Sequence, residues 1–118
     1  MFHNFIILEP DPIVRMDISG LLASEYPAAS VFQGAAFEEL GGSAEDVGPQ
    51  TTYFIKDSLI SAGSALESAL KSAVVHGSRV IVMGARRAVG FPAEFLELPF
   101  DSDMVIATLT GLGNGSHR

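Results

Sequence analysis

The chain has 118 residues, a formal net charge of −7 and no cysteine. This length fits one domain, which we expect over residues 1–112, followed by a flexible tail over 113–118. The absence of cysteine excludes disulfides and thiolate chemistry, and the negative charge disfavours binding to the phosphate backbone of a nucleic acid. Because no apolar run approaches the roughly 20 residues of a membrane span and the first residues do not form a secretion signal, we expect a cytoplasmic protein without membrane contact.

The first predicted elements are a buried strand and the helix that follows it after a short acidic turn. Residues 5–8 form an apolar run that is too short for a helix, which predicts a strand covered on both faces. Asp11 is a good N-cap, and Pro12 suits the first position of a helix. The helix should end near Tyr26, because Pro27 disfavours the helical conformation of the residue before it.

The second and third strands are predicted on either side of a polar loop. Residues 29–33 predict a strand, and residues 35–40 predict a short helix after it. Residues 41–50 are polar and glycine-rich, which indicates a loop. Residues 51–55 are β-branched or aromatic throughout, so they predict the third strand.

The next predicted element is a helix over residues 64–76. Ser64 and Glu67 have the spacing of a capping box at its start, and Gly77 is expected to end it. Its apolar stripe consists of Leu66, Leu70, Ala73 and Val74. This spacing is typical of a helix that covers one face of a sheet.

The remaining elements complete an alternation of strands and helices. Residues 79–83 predict a fourth strand and residues 94–97 a fifth. Asp101 is expected to cap a last helix that reaches Leu112. Because most of the strands are continuous apolar runs, the pattern indicates βαβ units around a parallel sheet.

Three stretches of the chain carry a more specific pattern, namely IILEPDPIVR at 6–15, VIVMGA at 80–85 and FLELPFD at 95–101. In this order they resemble the first, fourth and fifth strands, with their following turns, of response-regulator receiver domains. These are the CheY-like domains of two-component (phosphorelay) systems. The resemblance implies a flavodoxin-like (βα)5 fold, a three-layer α/β sandwich whose parallel sheet has the order 2-1-3-4-5. It places the site at the carboxyl ends of the strands.

The resemblance also implies an acidic pocket that holds Mg²⁺ and an aspartate at the end of strand three that accepts a phosphoryl group. Glu9 matches the first acidic position, but Pro10 falls on the second and supplies no side-chain oxygen for Mg²⁺. Asp11 lies one residue too late and is better explained as the helix cap. In the best register Lys56 stands at the acceptor position, and a slip of one residue puts Asp57 there, which makes Asp57 the candidate phosphoacceptor.

Two further positions of the implied site are also altered. Receivers bind the phosphate with a Ser or Thr after strand four and a Lys before the proline that follows strand five. Gly84 and Leu98 occupy these positions, so the hydroxyl and the cation are both missing. The interval between Gly84 and Leu98 is too short for a full fourth helix and contains Pro92. We therefore expect the fourth helix to be shortened or missing.

The carboxylates allow two interpretations. In one, Glu9, Asp11 and Asp57 form a residual phosphoryl site, with Glu9 and Asp57 as metal ligands. In the other, which we favour, they are a cap, a turn residue and an acid beside Lys56, with no metal and no cofactor; Mg²⁺ would enter only if the acidic pocket functions. Phosphoryl transfer depends on positioning and charge neutralisation, and most of both is lost here. A further hypothesis places the Lys56 ammonium near Glu9, where it neutralises the acidic turn; the alternative is that Lys56 points to solvent.

Together these patterns predict a receiver-like signalling module that is not an enzyme and acts by protein–protein contact without normal aspartate phosphorylation. Its partner would be a histidine kinase or another signalling protein, and a homodimer through helix faces is compatible with the pattern. Two alternatives stay open: a weakly phosphorylatable response regulator that uses Asp57 with Mg²⁺, and a small flavodoxin-like ligand-binding domain or enzyme. The second needs a phosphate-binding glycine loop after strand one, whereas residues 9–12 are acidic and rigid.

Overall fold

A computed structural model of the chain describes residues 3–39, 48–85, 89–97 and 102–110. Within these ranges the chain forms five strands and three helices. In chain order they are β1 (Asn4–Leu8), α1 (Pro12–Glu25), β2 (Ser30–Gly34), β3 (Thr51–Lys56), α2 (Ala65–Val75), β4 (Arg79–Met83), β5 (Glu94–Leu96) and α3 (Ser102–Thr110). No helix in this described part of the chain combines the length and the apolarity needed to cross a membrane.

The strands form one parallel sheet in the order β2-β1-β3-β4-β5, which confirms the order predicted from the sequence. Leu8, at the end of β1, is level with Gly34 in β2 and with Ile55 in β3. Lys56, the last residue of β3, is level with Met83 in β4. The carboxyl ends of four strands therefore meet at one edge of the sheet, where open parallel sheets hold their sites.

Helices cover both faces of the sheet, so the predicted three-layer sandwich is confirmed. On one face, Ile6, Tyr53 and Val80 pack against α2 through Leu66 and Leu70. The other face packs against α1 and α3, with the following side chains at its centre: Phe5, Ile7, Phe54, Ile81, Ile18, Leu22 and Val105. Successive strand residues alternate between these two cores, and both cores are apolar. This explains why the central strands are continuous apolar runs in the sequence.

The predicted helix caps are present. The Asp11 Oδ1 atom accepts the Ile13 N–H at 2.9 Å at the start of α1. The Ser64 hydroxyl accepts the Glu67 N–H at 3.1 Å at the start of α2. The Glu67 carboxylate reaches back to the N–H of Gly63 at 2.9 Å, one residue before the cap. Both helix starts are thus fixed by local side chains whose spacing was visible in the sequence.

Several boundaries differ from the prediction. The second strand begins and ends one residue later than predicted, and β5 is one residue shorter. Where a helix was predicted over 35–40, the described residues form bends and a single 3-10 turn at 37–39. Residue 40 lies outside the described residues, as do most of the predicted loop, Asp101 and the predicted tail over 113–118.

The connection from β4 to β5 contains no helix in its described residues, 84–85 and 89–93, in agreement with the expected loss of the fourth helix. Phe91 is 8% exposed and fills the α2-side core in place of helical residues. A Cβ added at Gly90 would lie 2.9 Å from Glu67 Oε2 and 3.0 Å from Lys71 Cε, so the backbone at this point lies directly on α2. The described residues 89–93 of the connection are therefore packed against the domain, with Phe91 as their anchor.

Candidate functional site

The candidate site lies where β1, β3 and β4 end. Glu9 follows Leu8, and Lys56 follows Ile55, the residue that is level with Leu8. Gly84 follows Met83, the partner of Lys56. The sheet therefore brings together the positions that the sequence analysis singled out at 9, 56, 57 and 84, and it does so through strand register alone.

Glu9 is the most enclosed polar residue of the site, with 1% of its surface exposed. Its Oε2 atom accepts the Asp11 N–H at 2.9 Å, while Oε1 finds no hydrogen-bond partner in the described part of the chain. Its backbone is also fixed, since its N–H donates to the Gly34 carbonyl at 3.0 Å and its carbonyl accepts from Arg15 Nη1 at 2.6 Å. A buried carboxylate oxygen without a donor is energetically unfavourable, so this atom needs a compensating charge or a physical explanation.

The two residues after Glu9 do not extend the acidic pocket. Pro10 is exposed and has no side-chain oxygen. Asp11 is exposed and its Oδ1 is used as the cap of α1. The Asp11 side chain therefore serves as the cap of α1, the role that the favoured interpretation of the sequence gave it.

Lys56 is half-buried at the end of β3. Because side chains alternate along a strand, Lys56 lies on the same side of the sheet as Phe54. Ile7 of β1 also lies on this side, and so does Glu9, two residues after it. Among the described residues, the ion pairs within 4.0 Å are Lys71–Glu67 and Arg79–Glu94, so the structure contains no direct Lys56–Glu9 pair. The neutralisation of Glu9 by Lys56 stays a prediction, and it would act across a longer distance.

Asp57 begins the 3-10 turn Asp57–Leu59 and faces the end of β4. Its Oδ2 atom accepts the Ala85 N–H at 3.0 Å. Gly84 has φ +122, and a Cβ placed on it would lie 2.6 Å from both Cγ and Oδ1 of Asp57. The sequence analysis treated Gly84 only as a lost hydroxyl; the structure shows that its missing side chain makes room for the Asp57 carboxylate. A glycine at a strand end is a general sign of a close approach, although it does not say what approaches.

Leu98, the remaining altered position, lies outside the described residues. Mg²⁺, the ion that the receiver resemblance implies, takes hard oxygen ligands in octahedral geometry. Glu9 offers one unpartnered oxygen, Pro10 offers none, and an ammonium rather than a carboxylate ends β3. Within the described ranges, three or more potential metal ligands do not come together anywhere.

The sequence matches no family model, and it matches no curated protein. Solved structures, in contrast, are clearly similar in fold. A response regulator receiver domain protein from Bacillus halodurans aligns with a TM-score of 0.73 and 14% identity, over 94% of this chain and 97% of that chain. A chemotaxis response regulator of Vibrio cholerae aligns with a TM-score of 0.69 and 12% identity, over 95% of this chain and 99% of that chain.

A third similar structure is the receiver domain of a sensor histidine kinase from Pseudomonas aeruginosa, which holds a magnesium ion in its active-site cleft. It aligns with a TM-score of 0.67 and 17% identity, over 94% of this chain and 97% of that chain. The sheet order and these likenesses define the class of fold. The chain has the flavodoxin-like fold of CheY-like response regulator receiver domains, and the resemblance inferred from its sequence is confirmed at the level of the fold.

Proposed function

We propose that the chain is a receiver-like module of two-component signalling that works by protein–protein contact, without a normal cycle of aspartate phosphorylation. The observation that carries this proposal is the state of the β3 end. Lys56 occupies the last position of the strand, and the carboxylate that follows it is already bonded to the backbone of Ala85. The module would not act as an enzyme.

The chemistry of phosphoryl transfer supports this proposal. The reaction requires accurate positioning of the acceptor and neutralisation of the charge that develops on the phosphoryl oxygens. Pro10 cannot ligate a metal, and Gly84 cannot donate a hydroxyl hydrogen bond. The Asp57 carboxylate that would attack a phosphodonor already accepts the Ala85 N–H, and it lies in the space that the absent side chain of Gly84 leaves open.

The surface next to the site supports the contact part of the proposal. Ile13 and Met16 are 70% and 66% exposed on α1, one helical turn apart, directly after the acidic turn. Large apolar side chains exposed together on one helix face are typical of protein contact surfaces. A histidine kinase or another signalling protein could bind this face, and a second copy of the chain is the alternative occupant.

Intact-mass spectrometry after incubation with acetyl phosphate and Mg²⁺ tests the proposal, with circular dichroism to confirm that the sample is folded. We expect no phosphoryl adduct on the wild-type chain. An adduct that disappears in Asp57→Ala would refute the proposal and would favour the alternative, a response regulator that is weakly phosphorylated on Asp57. Size-exclusion chromatography of the wild type against Met16→Glu then separates self-association from binding to a different protein.

A further inference from the structure

The end of β4 is tied to both neighbouring strands. The Gly84 N–H donates to the Leu96 carbonyl of β5 at 3.0 Å. The Ala85 N–H donates to the Asp57 carboxylate, beyond the end of β3, also at 3.0 Å. One bond is an ordinary contact between backbones, whereas the other ends on a negative charge and is therefore the stronger kind.

The absence of a side chain at Gly84 makes room for this carboxylate. A Cβ at this position would lie 2.6 Å from Asp57 Cγ and Oδ1 and 2.8 Å from Oδ2, closer than real Cβ contacts come. The φ of +122 is also one that side-chain-bearing residues rarely adopt. A serine or threonine at position 84 could not coexist with Asp57 in this orientation. The carboxylate at position 57, one residue after the end of β3, and the glycine at position 84 thus belong to one arrangement.

We infer that the Asp57 carboxylate is a built-in anion that holds the exit of β4 in a single conformation, with Gly84 providing the space. The carboxylate belongs to the chain itself, so the exit does not depend on a covalent modification to acquire an acceptor for the Ala85 N–H. Phe91, buried a few residues later, anchors the other part of the same connection. The described residues of the connection are thus held at two points, at Ala85 by Asp57 and further along by the buried Phe91.

This inference deepens the proposed function, and its role in signalling rests on that function. A partner would bind a surface whose conformation does not switch. The structural part can be tested alone, without a phosphodonor. Its failure would leave the proposed function standing, whereas a phosphoryl adduct on Asp57 would refute the proposed function and leave the exchange result unaffected.

The test is amide hydrogen exchange of Ala85, followed by NMR, in the wild type and in Asp57→Ala. We expect exchange of this amide to become roughly ten- to a hundredfold faster in the variant, because a hydrogen bond to a charged group is lost. Asp17→Ala removes an exposed aspartate from α1 and is the matched control, in which Ala85 should exchange as in the wild type. Unchanged protection of Ala85 in folded Asp57→Ala would overturn the inference, and so would an equal loss in Asp17→Ala.

Added formate provides a second readout that a purely steric role would not give. In Asp57→Ala it should restore protection of the Ala85 amide, whereas chloride at equal ionic strength should not. If formate and chloride changed the protection of the Ala85 amide equally, the inference that this amide is bound specifically by a carboxylate would be overturned. If Asp57→Ala does not fold, Asp57→Asn carries the test, since it keeps the size and an acceptor oxygen but not the charge. In Asp57→Asn we expect the Ala85 amide to exchange faster than in the wild type but more slowly than an unbonded amide. Protection equal to that of the wild type would exclude a role of the charge.

Discussion

Replacing Arg79 by methionine tests how the last helix is held on the sheet. The guanidinium donates through Nε and Nη2 to both oxygens of Glu94, at 2.8 and 2.6 Å. It also donates to the carbonyls of Thr108 and Leu109 in α3, at 2.6 and 2.7 Å. One side chain thus joins the first residues of β4 and β5 to the last turn of α3, where a cation also favours the helix dipole.

The expected loss lies between the values for exposed and for buried pairs. Exposed ion pairs contribute about 0–1 kcal/mol, whereas breaking a buried pair costs roughly 3–5 kcal/mol. The side chains of Arg79 and Glu94 are 34% and 25% exposed, so we discount the buried value for solvent screening and expect a loss of about 2 kcal/mol. Methionine keeps the apolar stem in place, so the change isolates the guanidinium. For a chain of this size, the melting temperature should fall by roughly 6–12 °C.

The chain offers a matched control in its other described ion pair. Lys71 and Glu67 are 3.9 Å apart, and the Lys71 side chain is 51% exposed. Lys71→Met should therefore change the free energy of unfolding by less than about 0.5 kcal/mol. Urea unfolding followed by circular dichroism measures both variants. Equal effects of the two substitutions, or no effect of Arg79→Met, would refute the geometric reasoning.

The Arg79–Glu94 pair also leads to a prediction about how stability depends on pH. The hydrogen bonds that the Arg79 guanidinium donates to the Glu94 carboxylate raise the pKa of Arg79 above its ordinary value, and burial opposes this in part. A group whose pKa is higher in the folded than in the unfolded state stabilises the fold. This contribution is fully present at pH values below the pKa of the unfolded state, and it is lost as the pH rises through the pKa of the folded state. Since arginine keeps its proton far above neutral pH even in the unfolded chain, the stability difference between wild type and Arg79→Met should be constant from about pH 6 to about pH 9. A decline toward pH 9 would contradict this assignment.

Three further substitutions test the packing and the site by the same unfolding measurement. Phe91→Ala should cost about 3 kcal/mol, because it leaves a cavity in the core between the β4–β5 connection and α2. Phe91→Leu should cost much less, and a loss below about 1 kcal/mol for the alanine variant would mean that the connection is not anchored there. Gly84→Ala should cost about 2 kcal/mol or more, because alanine is strained at this φ and its Cβ overlaps Asp57. Gly20→Ala places its Cβ in open space on α1 and should be neutral or stabilising. If both substitutions changed the free energy of unfolding in the same direction, this reasoning would be refuted. Lys56→Met should cost about 0.5–1 kcal/mol if the ammonium neutralises Glu9, and adding Glu9→Gln should recover most of that loss; an unchanged melting temperature in Lys56→Met would exclude the neutralisation.

Much of the fold could be predicted because its signals are local. The apolar runs at 5–8 and 79–83 specify buried strands, and Asp11 and Ser64 specify the helix starts by side chains two or three residues from the atoms they bind. The predicted helix over 35–40 is instead a 3-10 turn in its described residues. A segment this short has little intrinsic helical stability, so tertiary contacts decide its conformation.

The site was predictable only as a set of positions. Sequence comparison with the receiver pattern identified 9, 56, 57 and 84, but it could not show that Glu9 is almost completely buried or that Asp57 reaches Ala85. Those contacts depend on the register between strands and on the φ of one glycine. Neither is encoded in the neighbouring residues, since positions 57 and 84 are joined only when β3 and β4 pair.

Glu9 raises the question of why an acid is buried next to Pro10, a residue without a side-chain oxygen. Its contacts give a structural answer. Oε2 accepts the Asp11 N–H, and the Glu9 carbonyl accepts from the Arg15 guanidinium one turn into α1. The Arg15 N–H in turn donates to the Asp11 carbonyl. These bonds set the direction in which the chain leaves β1 and place Asp11 as the helix cap, so they offset part of the cost of burying the second carboxylate oxygen. An acid at this position is therefore explained by the turn it holds, and its presence is not by itself a sign of metal binding.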